Sequence, residues 1–81
     1  MAEKDQLLGI ANFLIDYENR FKEKASELQI NRELWNEIKA APQKERDIYI
    51  SEDTTRNIVT IYGTPIIVDG YYILWKDYIN Y

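Results

Sequence analysis

The dipeptide Asp69-Gly70 constrains this chain more than any other feature. It sits between Pro65-Ile66-Ile67-Val68 and Tyr71-Tyr72-Ile73-Leu74-Trp75, two β-branched or aromatic runs. Both central residues of a type I′ turn need positive φ, which Gly and Asp tolerate. The pattern therefore predicts a two-residue hairpin, with strands at about 65–69 and 71–76. In that register Val68 and Tyr71, Ile66 and Ile73, and Thr64 and Trp75 share one face. Ile67 and Tyr72, with Pro65 and Leu74, share the other. Both faces are apolar, whereas a sheet wetted on one side alternates apolar with polar residues.

Upstream, Asn57 to Gly63 and Asp47 to Ser51 read as two more strands. Gly63-Thr64 invites a second tight turn, but Pro65 has no N–H to give to a ladder. A Gly63 bulge or bend is the expectation there.

The first half has helical period. Leu7, Ile10, Leu14, Tyr17, Phe21 and Leu28 form an a/d stripe, with Lys24 in its one polar slot. Ala11, Ile15 and Ala25 widen the stripe. A helix from about Glu3 to Leu28 is expected. Asn31 is a suitable N-cap for a second helix reaching Ala41, with Ile30 and Trp35 at the staple positions and Pro42 ending it. The short connection predicts a helical hairpin. The expected fold is therefore α+β, one domain over residues 1–81, with that hairpin packed on an antiparallel sheet of three to four strands.

Composition narrows the chemistry. The 81 residues include no cysteine and no histidine. That excludes disulfides, Cys/His zinc sites, imidazole general bases and the Ser-His-Asp triad. Glu23 and Glu27, like Glu33 and Glu37, stand four apart, but carboxylate di-metal bundles add His to such sets. A solvated acidic face is the simpler reading. The three glycines make no phosphate loop or dinucleotide fingerprint. No catalytic residue, metal or cofactor is expected, and the chain does not read as an enzyme. Fourteen acidic against ten basic side chains give a net charge of −4, which disfavours nucleic acid. Lys22, Lys24, Lys44 and Arg46, with Tyr49 or Tyr62 as stacking platforms, leave a single-strand binder as a minor alternative. Met1 to Gln6 lacks the pattern of a secretory leader, and no apolar run reaches the roughly 18–20 residues of a membrane span. A cytoplasmic location is the expectation.

Two small helices have little surface with which to cover both faces of the hairpin. An uncovered apolar face marks an interaction site. The expected partner-binding residues are Asp69, Tyr71, Tyr72, Trp75, Tyr78 and Tyr81, since Tyr and Trp dominate binding hot spots. The competing reading is that these aromatics fill a small core. The first helix poses the same choice: its long stripe packs on the second helix or pairs with a second copy.

The stretch Ile61-Tyr62-Gly63-Thr64-Pro65-Ile66-Ile67-Val68-Asp69 resembles a pattern recurring in bacteriophage proteins. It is an aromatic residue, Gly, any residue, Pro, a β-branched run and an acid. The resemblance covers about a tenth of the chain and implies a phage or mobile-element origin, with no residue role carried over. In composition the chain is also similar to compact inhibitors and immunity proteins. The leading expectation is a protein-binding module, such as a phage-encoded inhibitor or modulator of a host protein. The alternative is a self-assembling component of a phage particle.

Overall fold

The computed structural model describes residues 2–80. Its elements run α1 (Ala2–Phe21), β1 (Leu28–Ile30), α2 (Arg32–Lys39), α3 (Gln43–Tyr49), β2 (Ile50–Asp53), β3 (Ile58–Ile61), β4 (Thr64–Val68), β5 (Tyr71–Tyr72) and α4 (Trp75–Ile79). The class is α+β, as the sequence predicts. The sheet is mixed and five-stranded, in the order β1-β4-β3-β2, with β5 also paired to β4.

The mixed character comes from the segment expected to end the first helix. That helix stops at Phe21, and Lys22 takes a left-handed backbone at φ +60° while its amide still donates to the Glu18 carbonyl. Leu28 therefore lies on no helix. Leu28, Gln29 and Ile30 form β1, parallel to β4 in the register Leu28↔Ile66, Gln29↔Ile67 and Ile30↔Val68. The seven-residue step from Phe21 to Leu28 fits a helical stripe, but Leu28 and Ile30 pack on the core from a strand instead. The expected helical hairpin is thus interrupted by a strand, and the purely antiparallel sheet is not found.

The second helix forms as the sequence predicts. Asn31 Oδ1 accepts the Leu34 amide at 2.7 Å, satisfying one of the first-turn donors. Trp35 and Ile38 are its buried face. It ends at Lys39 with Ala40 as its C-cap, and Pro42, at φ −56° and ψ 143°, is the N-cap of α3. Residues 47–49, expected as strand, belong to this extra helix. Gln43 Nε2 donates to Asp47 Oδ1 at 2.8 Å along one face, and Ile48 points to solvent. The strand begins only at Ile50.

The bend expected at Gly63 is a two-residue turn of Tyr62 and Gly63, with φ of +52° and +82°. Ile61 faces Thr64 and Thr60 faces Pro65. Thr64 is the residue after the turn, so the missing N–H of Pro65 does not break the closing ladder. The second turn is Asp69-Gly70, φ +56° and +88°, with Val68↔Tyr71 and Ile67↔Tyr72 as expected. Its outgoing strand lasts only two residues. Ile73 then accepts the Val59 amide at 2.8 Å, Leu74 bridges to Ile58, and Trp75 starts α4. The chain thus crosses from β4 to β3 rather than continuing the hairpin to residue 76.

All nine residues of β3 and β4 are buried, on both faces. Val59, Ile61, Ile66 and Val68 join Leu7, Ile10 and Leu14 of α1 and Trp35 and Ile38 of α2 in the main core. The other face carries Ile58, Thr60, Pro65 and Ile67. Thr60 is satisfied there, its hydroxyl donating to the Ser51 carbonyl and pairing with the Ser51 hydroxyl, both at 3.0 Å. Tyr72 flanks Ile67 on this face, its hydroxyl donating to Glu27 Oε1 at 3.0 Å and its ring under Arg56. The expectation of a bare second face is therefore not met. Short strands make the sheet small enough for its own edges and returning chain to cover it.

Candidate functional site

The segment 69–79 leaves the buried sheet and runs over the surface. Its first residue, Asp69, is held by α2. Arg32 Nε and Nη2 donate to Asp69 Oδ2 at 3.0 and 2.9 Å. Both side chains are exposed, so the pair contributes at most about 1 kcal/mol. Its structural effect is to tie the β4–β5 turn to the start of α2.

Between that turn, α2 and α4 lies a groove of about 270 Å³. Asp69, Tyr71, Tyr72 and Tyr78 line it, together with Arg32, Trp35, Lys39 and Asp77. Four of the six residues expected to bind a partner therefore meet at one groove. Partial burial, followed by the like charge of Arg32, lowers the Lys39 pKa below the usual lysine value. Lys39 Nζ also stands 5.7 Å from the centre of the Trp35 ring.

Trp75 lies elsewhere, at the first turn of α4. It lines a second groove of about 330 Å³ against Arg46, Ile50, Tyr78 and Ile79. It also lines a third, of about 400 Å³, against Arg56, Asn57, Leu74, Lys76 and Ile79. Trp75 and Ile79 are one helical turn apart, which is why α4 presents both to its flanks. Arg56 is fixed at the rim by Asp53, Nε to Oδ2 at 3.0 Å. That hydrogen bond holds the Asp53 carboxyl below the usual carboxylate range.

The aromatics of the segment divide by what they touch. Tyr78 packs between two tryptophans, with ring centres 5.8 Å from Trp35 and 5.3 Å from Trp75. Its hydroxyl accepts from Arg46 Nη1 at 3.3 Å. Tyr78 and Trp75 are half-buried and pack on the core, so they hold α4 in place. Tyr71 is 78 % exposed, and Ile79 is 58 % exposed. Tyr72 and Leu74 are also exposed. Tyr81 lies outside the described residues.

Sequence reasoning passed over Ile79 and Arg56. The spacing of Trp75, Tyr78 and Ile79 carries a helical signal, masked by the β-rich run before it. Arg56 gave no signal, because its place over the Tyr72 ring depends on how β3 and β5 meet. Glu23 and Glu27 lie between α1 and β1, so they do not stack along a helix. Among the described residues no group of carboxylates has metal-holding geometry, and no helix is long and apolar enough to cross a membrane.

Compared with protein families, with characterised proteins and with solved structures, the chain matches none.

Proposed function

We propose that this chain is a non-catalytic protein-binding module whose contact surface is the segment 69–79. One observation carries the reading. Tyr71, Tyr72, Leu74 and Ile79 are exposed along a single segment whose residues line three grooves, while strands β3 and β4 behind it are fully buried. Exposed aromatic and aliphatic side chains on a well-packed support are pre-ordered, so little entropy is lost when a partner covers them. Trp75 and Tyr78 supply that support through the core, and Tyr71 and Ile79 supply contact area.

The partner fitting this surface is a protein with apolar side chains to cover Tyr71, Leu74 and Ile79 and a net positive charge. The net charge of −4 speeds encounter with such a surface. A small module of this kind acts by covering a site on a larger protein, as an inhibitor or modulator does. The bacteriophage-like strand pattern is compatible with that role.

The test is capture from a lysate of the source cells, with the captured protein identified and re-made pure. The double variant Tyr71→Ala/Ile79→Ser is expected to bind that pure protein at least tenfold more weakly and to melt at an unchanged temperature. Equal binding by wild type and variant would remove segment 69–79 as the contact surface.

A further inference from the structure

Helix α4 carries Ile79 into the proposed contact surface, yet little within the helix keeps it folded. It has five residues, no side chain caps its start, and none of its residues is fully buried. A helix this short does not persist without tertiary contacts. Its start is fixed through the backbone, where the Trp75 amide donates to the Asn57 carbonyl at 2.8 Å. Its last turn is tied by Arg46 of α3, 32 residues from Tyr78 in sequence.

Arg46 is half-buried, and its guanidinium serves three acceptors. Nε donates to the Ala41 carbonyl at 2.9 Å. Nη2 donates to Gln43 Oε1 and Nη1 to the Tyr78 hydroxyl, each at 3.3 Å. The guanidinium carbon also stands 5.9 Å from the centre of the Tyr78 ring. Ala41 is buried just past the end of α2, where helix carbonyls run out of amide donors. One nitrogen thus fastens the end of α2 and another fastens α4. In a single-strand binder Arg46 would face phosphate; here its guanidinium is turned to the protein's own acceptors.

Tyr78 passes the tie on through its contacts with the Trp35 and Trp75 rings. Ile79 follows Tyr78 directly, so where Ile79 points depends on where Tyr78 is held. Arg46, Trp75, Tyr78 and Ile79 line the same groove, so the Arg46–Tyr78 contact joins its α3 wall to its α4 wall.

We propose that Arg46 is a positioning residue for the contact surface, setting the pose of α4 and of Ile79 by bridging Ala41 and Tyr78. The inference rests on segment 69–79 being that surface. The fork shape matters. Nε and Nη1 point different ways from one rigid plane, whereas a lysine ammonium is a single point on a flexible stem and does not reach both acceptors in one pose.

Backbone nitrogen relaxation of the free chain, read by NMR, tests this with no partner present. Residues 76–79 of the wild type should have order parameters of about 0.85, as rigid backbone does. Arg46→Met keeps the apolar stem and should drop them below about 0.6, with β3 and β4 unchanged. Arg46→Lys should drop them as far. Tyr78→Phe keeps the Ala41 bond and tests the bridge even where Arg46→Met fails to fold; it should loosen 76–79 by a smaller amount. The double variant Arg46→Met/Tyr78→Phe should be no looser than Arg46→Met. Full order at 76–79 in Arg46→Met overturns the proposal, as does loosening that extends equally through β3 and β4. Full order in Arg46→Lys also overturns it, since charge alone then suffices. The pure captured protein should bind Arg46→Met roughly threefold to tenfold more weakly, because α4 must be ordered again on binding. Undiminished binding by a variant with a loose α4 overturns the role of Arg46, whereas undiminished binding by Tyr71→Ala/Ile79→Ser removes the surface itself.

Discussion

Two hairpins share β4, and their local chemistry is nearly the same. Each turns through two residues of positive φ, the second a glycine: Tyr62-Gly63 and Asp69-Gly70. Each joins apolar strands. Yet the β3–β4 hairpin is buried on both faces, while the outgoing strand of the second hairpin, β5, is exposed at both residues. The difference lies in what stands beside each strand. β3 lies between β2 on one edge and both β4 and the chain after β5 on the other. β5 has β4 alone as a ladder partner, and after two residues the chain leaves it for β3 and α4. The turn chemistry sets the hairpin, and the neighbours decide whether its side chains are core or contact surface.

The strongest way to break that contrast is to truncate one residue on each hairpin. Ile66→Ala, at a fully buried position on β4, should cost about 2–5 kcal/mol in denaturant unfolding. Tyr71→Ala on β5 should stay within about 0.5 kcal/mol. A comparable loss at Tyr71 would make β5 part of the core and withdraw it from the proposed contact surface.

The turns themselves should differ less. Gly63→Ala and Gly70→Ala each force a side chain into positive φ, at about 1–2 kcal/mol. The Gly63 change should cost more in thermal melts, because its Cβ would lie 3.0 Å from Lys24 Nζ. Lys24 also donates to the Tyr62 carbonyl at 3.4 Å and stands over the Tyr62 ring, so moving it loosens that turn further. Equal costs would show that Lys24 adds nothing to the first turn.

Asn31→Ala should cost about 1 kcal/mol by the same unfolding assay, through the lost cap on Leu34 N. It should also loosen the α2 end to which Asp69 is tied, and so broaden the amide NMR signals of the second turn but not the first.

The smallest effect concerns pH. The Arg56 hydrogen bond outweighs slight desolvation and lowers the Asp53 pKa in the folded chain. The resulting stability is present above the ordinary carboxylate range and is lost as pH falls through it. Arg56→Gln should move the Asp53 carboxyl titration, followed by NMR, upward toward its ordinary value. Arg56 is half-exposed, Asp53 is partly so, and the pair is screened by salt, so the unfolding midpoint should shift only slightly.

Particular residues show how far the sequence was legible. Asp69-Gly70 gave the second turn and its first two pairings, because type I′ geometry is a two-residue property. Asn31 gave its helix start for the same local reason. Leu28 misled, since a residue seven past Phe21 fits a helical stripe and a buried strand equally well. Lys24 interrupts that stripe, and the helix ends just before it, where Lys22 turns to a left-handed backbone. Asp47-Ile48-Tyr49 misled through β propensity, which the Pro42 start and the Gln43–Asp47 contact override. Of the candidate site, the clustering of aromatics from Tyr71 to Tyr78 was legible. Its division into core-packed Trp75 and Tyr78 and exposed Tyr71 was not, because burial depends on elements distant in sequence.

By itself the sequence determined the α+β class, the capped second helix, the Asp69-Gly70 turn and the absence of cysteine and histidine chemistry. These rest on local backbone preferences and on residue types present or missing. Tertiary structure alone decided that β1 joins the sheet in parallel, that both faces of β3 and β4 are covered, and that Tyr71, Tyr72, Leu74 and Ile79 are left exposed on segment 69–79. Those outcomes depend on which distant segments meet, and apolar periodicity says only that a side chain is to be covered, never by what.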